Sequence, residues 1–211
     1  MTSAVPARRR GRPPASETNP GETRERIVRA AMELFAEKGF HATSVAEIGD
    51  RAGIQRGALY YHIGSKEELL FQIRRGYTQL MLDAAVAIAE GAGDPLDKLR
   101  ALIRAHVLLI IEHQHEVTIA LRDAGALTGE RQADLQTLRD GIQDSWQRVF
   151  DDAHAAGQVR TGDHVVTNSV VAMLNMVSAW YRPGGEHTPG EIAEILTSTI
   201  LDGVAAPVVN K

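Results

Sequence analysis

Helix-start signals, each followed by apolar residues at helical spacing, recur from Asn19 almost to the C-terminal end, and no segment alternates with period two. That pattern leaves an all-α fold. Asn19-Pro20-Gly21-Glu22 reads as an N-cap, a proline at the first helical position and a capping-box acid. Ile27, Ala31, Leu34 and Phe35 then share a face, and Gly39 closes the run. Ser44-x-x-Glu47 opens a second helix with Val45, Ile48 and Ala52 inward, Gly53 ends it, and a short third segment runs from Gln55 to His62. After Gly64, Ser65-x-x-Glu68 caps a long helix over 66–90, stopped at Gly91-Ala92-Gly93. Asp94-Pro95 starts the next, apolar along Leu99, Ile103 and Ile110 as far as Glu112. Further helices are expected over 117–127, 130–156 and 163–181, the last stopped by Arg182-Pro183-Gly184-Gly185. Thr188-Pro189-x-Glu191 caps a final helix with Ile192, Ile195, Leu196, Thr199 and Ile200 on one side.

A chain of 211 residues can bury a sizeable core in one or two domains. With 44% hydrophobic and 24% charged residues, wholesale disorder is excluded. The lack of cysteine excludes a disulfide scaffold, a thiolate zinc site and a cysteine nucleophile. No apolar run reaches membrane-spanning length, so no membrane association is expected. The arginine-rich N-terminus lacks the apolar stretch of a secretory signal, which makes a cytoplasmic protein the default. The net charge of -4 argues against a nucleic-acid partner until it is divided. Residues 1–75 hold 13 Lys and Arg against 9 Asp and Glu, whereas residues 76–211 hold 10 against 18. The asymmetry fits a nucleic-acid-facing N-terminal part, with chance scatter of charge as the alternative.

The two short helices about Gly53, preceded by a packing helix, describe a helix-turn-helix unit. In the second, Leu59 and Ile63 face inward while Arg56 and Tyr60 share another face. Gln55 and Arg56 stand at the helix start, the end that reaches base edges when such a helix enters the major groove. Arginine donates two hydrogen bonds to guanine, and glutamine pairs with adenine. Gly57 loses about 1 kcal/mol of helix propensity against alanine, which makes sense where the backbone must approach DNA closely. Tyr60 offers a ring to a thymine methyl and a hydroxyl to a phosphate. Tyr61, His62 and Lys66 are placed to grip phosphates and fix register. The Thr43 and Ser44 hydroxyls, at a helix start, are natural phosphate donors. The alternative for any one of these residues is an ordinary solvated face.

From Thr43 to Leu70 the chain reads T-S-V-A-E-I-G-D-R-A-G-I-Q-R-G-A-L-Y-Y-H-I-G-S-K-E-E-L-L. This run resembles the DNA-binding signature of the tetracycline-repressor (TetR) family. The likeness extends over residues 22–75, including A-A-M-E-L-F-A-E-K-G of the first helix. It implies an N-terminal three-helix, helix-turn-helix DNA-binding domain (20–65) on a C-terminal helical ligand-binding and dimerisation domain (66–205). A basic arm (1–19), expected to be disordered, precedes them, and a short tail (206–211) follows. The resemblance further implies a homodimer on the palindromic operator of double-stranded DNA. In it Thr43 and Ser44 match phosphate contacts, Gln55, Arg56, Gly57 and Tyr60 match recognition-helix positions, and Tyr61, His62 and Lys66 match backbone-clamping positions. Ile63 departs from the family's usual phenylalanine, and Gly64 from its usual proline or polar residue.

Within the arm, Arg8, Arg9, Arg10 and Arg12 surround a G-R-P core that resembles the AT-hook, a minor-groove motif. Narrow A·T-rich minor grooves attract arginine. A solubilising tail is the alternative.

The C-terminal part has no G-x-S-x-G, phosphate-binding Gly-rich loop or H-E-x-x-H, so no catalytic residue or cofactor is assigned and no enzyme is expected. Val165, Val166, Val170, Val171, Met173, Leu174, Met176 and Val177 cover nearly the whole circumference of the 163–181 helix. Such a helix must be covered on both sides, one by its own domain and one by a partner chain. With the last helix it would build a four-helix bundle across a twofold axis. His106 and His113 share a face with Leu99, Ile103 and Ile110, and read either as ligand contacts or as satisfied core or boundary histidines. No metal is assigned, because their spacing does not chelate and no third ligand is evident. Arg122, Trp146, Asn168, Met173, Asn175, Met176 and Trp180 complete the candidate contacts to a small apolar effector, although methionines fill core gaps as readily as they line pockets. Trp180-Tyr181-Arg182-Pro183-Gly184-Gly185 resembles a segment of family members that regulate steroid or fatty-acid breakdown and sense acyl-CoA thioesters. Its other role is a helix stop. The resemblance therefore implies a repressor that releases its operator on binding an acyl-CoA or a lipid or steroid catabolite. A repressor of an efflux gene induced by a drug-like or aromatic compound, and a DNA-bound activator, are the alternatives.

Overall fold

The computed structural model describes residues 20–204. The chain there folds as α1 (Pro20–Lys38), α2 (Val45–Ala52), α3 (Arg56–Ile63), α4 (Lys66–Glu90), α5 (Pro95–Glu112), α6 (Gln114–Arg122), a 3-10 turn (Ala124–Ala126), α7 (Gly129–Ala155), α8 (His164–Asn175), α9 (Val177–Trp180) and α10 (Pro189–Val204). No β-strand forms among the described residues. The starts of α2, α4, α5 and α10 follow the local signals: Ser44, Ser65, Asp94 and Thr188 each accept a backbone N–H with their side chains.

Two buried clusters organise the molecule. The head is built on Ile27, Leu34, Phe35, Ile48, Leu59 and Ile63 of α1–α3, joined by Leu69, Leu70 and Ile73 of α4 and by Ile119 of α6. The body is built on Leu99, Ile103 and Ile110 of α5, Trp146 and Phe150 of α7, and Ile192 and Ile200 of α10, with Ala85 and Ala89 of α4. α4 thus belongs to both. It lies along α7, where a Cβ on Gly141 would come within 3.0 Å of the Leu82 Cδ1 atom, so glycine lets the two helices approach. Two ion pairs, the exposed Arg75 with Asp134 and the half-buried Arg131 with Glu68, both at 2.8 Å, flank this contact on the head side.

The α2–α3 turn depends on two glycines. Gly53 adopts φ 67°, and Ile54 N–H returns to the Gly49 carbonyl at 2.8 Å. A Cβ on Gly49 would lie 3.0 Å from the Ile54 carbonyl, so this turn closes only against a bare backbone.

Three elements differ from expectation. The 163–181 helix is two helices parted at Met176. There Met176 N–H turns to Met173 O at 3.2 Å and Ala179 N–H to Met176 O at 3.0 Å, while the Ser178 hydroxyl takes the Asn175 carbonyl at 2.9 Å. The 117–127 stretch begins earlier, because α5 and α6 meet at the single residue His113, and it tightens into the 3-10 turn after Asp123. On α10 the expected stripe splits. Ile192 and Ile200 are buried with Ala193, Thr197 and Leu201, while Ile195 and Thr199 face outward.

Candidate nucleic-acid interface and effector cavity

α3 buries Leu59 and Ile63 and turns Gln55, Gly57, Tyr60 and Tyr61 to solvent. Gln55 is the N-cap; its carbonyl holds the Ala58 and Leu59 N–H groups while its side chain caps nothing. Arg56 is the first residue of the helix. A Cβ on Gly57 would meet nothing within 4 Å, so that stretch of backbone is open to close approach. Tyr61 is 89% exposed, and the half-buried His62 ring stands edge-on to it at 5.4 Å. Ser44 is exposed in a full capping box, its N–H and hydroxyl both 2.8 Å from the Glu47 carboxylate. Glu47 also pairs with Lys38. That bond first, and the two Ser44 bonds after it, hold its carboxyl down to about 2.

One of the expected phosphate contacts is corrected, and a second, Lys66, is also engaged by the head. Thr43 is buried, and its hydroxyl donates to the Gly39 carbonyl at 2.8 Å, so it closes the α1–α2 link instead of facing DNA. The Lys66 ammonium donates to the Phe40 and Thr43 carbonyls at 3.0 and 2.9 Å and sits 4.2 Å from the Phe40 ring centroid. It pins the same link from α4. Arg8, Arg9, Arg10 and Arg12, like the 206–211 tail, lie outside the described residues.

In the body a cavity of about 280 Å³ opens between α4, α5, α6, α7 and α8. Arg74, Tyr77, Thr78 and Met81 line it from α4, His106 from α5, Leu121 from α6, Arg139, Ile142 and Gln143 from α7, and Val171 and Asn175 from α8. His106 is buried, with Nε2 at 3.0 Å from Asn175 Oδ1 and its ring edge-on to Trp146 at 5.6 Å. Burial lowers its pKa to about 4, with the Asn175 bond opposing, so the ring is neutral and Nε2 donates. Arg74 is only 2% exposed; its Nη1 donates to the Asp123 and Ala124 carbonyls at 3.2 and 3.4 Å. Burial first, and then the charge of Arg139, pull its pKa down, while Asp123 opposes. Burial also pushes the Tyr77 phenol up, with Glu116 adding to it, so Tyr77 stays a neutral donor.

His106 and Asn175, both named from the sequence, therefore meet in the cavity wall. The other candidates do not line it. His113 joins α5 to α6, with Nδ1 at 3.0 Å from Glu116 and its ring beside Tyr77, which stands in the wall itself. Trp146 is buried beside His106 in the body core. Arg122 is exposed and reaches the Phe35 carbonyl of α1. Asn168, Met173, Met176 and Trp180 are exposed on α8 and α9, and Trp180 borders a separate groove with Arg182 and Ile195. Arg74, Tyr77 and Arg139 were not among the candidates. For Arg74 there was a signal: Leu70, Arg74, Tyr77 and Met81 follow one helical stripe, and a charge on such a stripe asks for a function. Among the described residues no cluster of His, Asp or Glu could hold a metal, and no helix is long and apolar enough to cross a membrane.

One contact joins cavity to head. Asp123, whose carbonyl accepts Arg74, also accepts the Phe40 N–H on its carboxylate at 3.1 Å.

Comparison with known proteins matches residues 27–73 to "Bacterial regulatory proteins, tetR family" and residues 92–204 to "Tetracyclin repressor-like, C-terminal domain". The HTH-type transcriptional repressor KstR2 of Rhodococcus jostii (strain RHA1) is 32% identical over 200 residues, covering 92% of this chain and 98% of that protein. The chain belongs to the tetR family of bacterial regulatory proteins. It is a DNA-binding, ligand-responsive repressor of the tetracyclin-repressor type, regulatory rather than catalytic. Its architecture is the all-α one expected, a helix-turn-helix head on a helical ligand-binding and dimerisation body. The solved ketosteroid transcriptional regulator KstR2 of Mycobacterium tuberculosis is similar at a TM-score of 0.82 and 28% identity, over 87% of this chain and 95% of that one. AibR, solved in complex with isovaleryl coenzyme A and operator DNA, is similar at 0.76 and 28%, over 84% and 97%.

Proposed function

We propose that the chain acts as a homodimer on a palindromic operator and releases it when an effector with an acyl or steroid-like apolar part fills the body cavity. The link from Arg74 through Asp123 to Phe40 carries this reading, because it joins the cavity wall to the α1–α2 link of the head. An occupant that displaces Arg74 disturbs that link and favours a conformer whose recognition helices no longer match the grooves. It does so only by its differential affinity for the two conformers. The lipid-type effector is supported by the likeness to a ketosteroid regulator and to a protein that holds isovaleryl coenzyme A.

In this reading residues 20–65 form the DNA-binding domain and 66–205 the effector and dimer domain. Gln55, Arg56, Gly57 and Tyr60 meet base edges, while Ser44, Tyr61 and His62 meet phosphates. Half-sites lie on the order of 34–36 Å apart. The partner protomer covers the apolar face formed by Val165, Met173, Met176, Trp180 and Ile195, all large and exposed. The basic arm adds positive charge to a head in which Lys38, Arg51 and Lys66 are each engaged.

The test is fluorescence anisotropy with the DNA flanking the chain's own gene, against a scrambled duplex, over a salt series and then with acyl-CoAs and aromatic compounds. Preference for the native duplex at every salt, lost on adding an effector, is expected. Equal weak binding to both by refolded, ligand-free protein overturns the reading. Deleting residues 1–18 should weaken binding and flatten its salt dependence; an unchanged slope removes the arm from the interface.

A further inference from the structure

The cavity is lined by two arginines together with apolar and neutral polar side chains. Arg74 is almost wholly buried, and its hydrogen bonds to carbonyls use Nη1 alone. Arg139 faces the same space from α7, half-buried, its Nη2 bonded to Gln136 at 2.7 Å. None of the lining side chains among the described residues is acidic. The Asp123 carboxylate is taken by the Phe40 N–H and lies beside Arg122. The cavity therefore brings together two like charges, one with its Nε and Nη2 left without an acceptor, in a space of about 280 Å³. Burying a guanidinium with no carboxylate bonded to it is unfavourable, a second cation beside it makes it more so, and the nearby Asp123 charge offsets this only in part. An anion between the two would relieve both, and planar guanidinium forks match carboxylate and phosphate oxygens.

We propose that the effector carries an anionic oxygen group, which binds between Arg74 and Arg139 while its apolar part lies on Met81, Leu121, Ile142 and Val171. This rests on the cavity being the effector site. The anion could be the carboxylate of a free acid or a phosphate of a coenzyme A thioester. Either draws the Arg74 guanidinium toward itself and away from the Asp123 and Ala124 carbonyls.

The experiment is calorimetric titration of the full-length protein, without DNA, with octanoate, octanoyl-CoA and the neutral methyl octanoate. Arg139→Gln and Arg139→Lys accompany the wild type, because Arg139 stands at the half-exposed rim and its replacement spares the buried Arg74. At least one anionic probe should bind about tenfold or more tightly than methyl octanoate, R139Q should abolish that advantage, and R139K should restore part of it. Octanoate alone identifies the carboxylate as the source, and octanoyl-CoA alone the phosphate. Without ligand, R139Q should melt higher than wild type, since one of two repelling charges is gone. Methyl octanoate binding as tightly as both anions, an advantage untouched in R139Q, or no binding of either anion overturns the proposal. Operator binding, measured separately by anisotropy, keeps these failures distinct from failure of the regulatory reading.

Discussion

Asp123 holds the head with its side chain and the cavity wall with its backbone. Replacing it by alanine leaves the buried Phe40 N–H unpaired, a loss of about 1–3 kcal/mol, whereas asparagine keeps an acceptor there. Urea unfolding should place Asp123→Asn clearly above Asp123→Ala; equal midpoints would mean that the Phe40 bond contributes nothing. His106 sets a pH limit. Its folded pKa of about 4 lies below the 6.5 of an unperturbed ring, so the unfolded chain takes up a proton first as pH falls. Stability is therefore fully present above 6.5 and declines between 6.5 and about 4, by up to about 3 kcal/mol. His106→Asn should flatten that part of a stability–pH curve, and an identical slope would place the acid sensitivity elsewhere. His106 and Asn175 were legible as polar groups within apolar helical runs. Arg122 and Met173 satisfied the same pattern yet lie outside the cavity, because periodicity places a residue on a helix without saying what stands opposite.

Helix starts were the most legible elements, since S-x-x-E and T-P-x-E act within one turn. Ser44→Ala should destabilise the head by about 1 kcal/mol in denaturant unfolding, and no change would mean that the box contributes nothing to α2. The break at Met176 was not legible: the Ser178 hydroxyl takes the Asn175 carbonyl there, and serine is equally at home facing water. The roles of Thr43 and Lys66 were hidden for a related reason. A hydroxyl and an ammonium beside a helix start suit phosphates, and only the path of the α1–α2 link turns them inward. For α3, Gln55→Ala should lose about 1–3 kcal/mol of discrimination at one base pair while leaving scrambled-DNA affinity unchanged. A parallel loss on both duplexes would move Gln55 from the bases to the backbone.

For the molecule as a whole, the exposed face of α8–α10 is the feature a monomer cannot keep without exposing apolar surface. Met176→Glu with Ile195→Glu should give a monomer by light scattering and strongly reduced operator binding; a dimer unchanged in mass would place the interface elsewhere. The α4–α7 contact of Leu82 on Gly141 has a mechanical consequence. At 1.5 Å rise per residue, Lys66 lies about 24 Å along α4 from that contact and Arg74 about 12 Å. If Leu82 is the fulcrum, the effector pushes between pivot and load. A shift at Arg74 then arrives at Lys66, and so at the α1–α2 link it pins, about twice as large and with half the force.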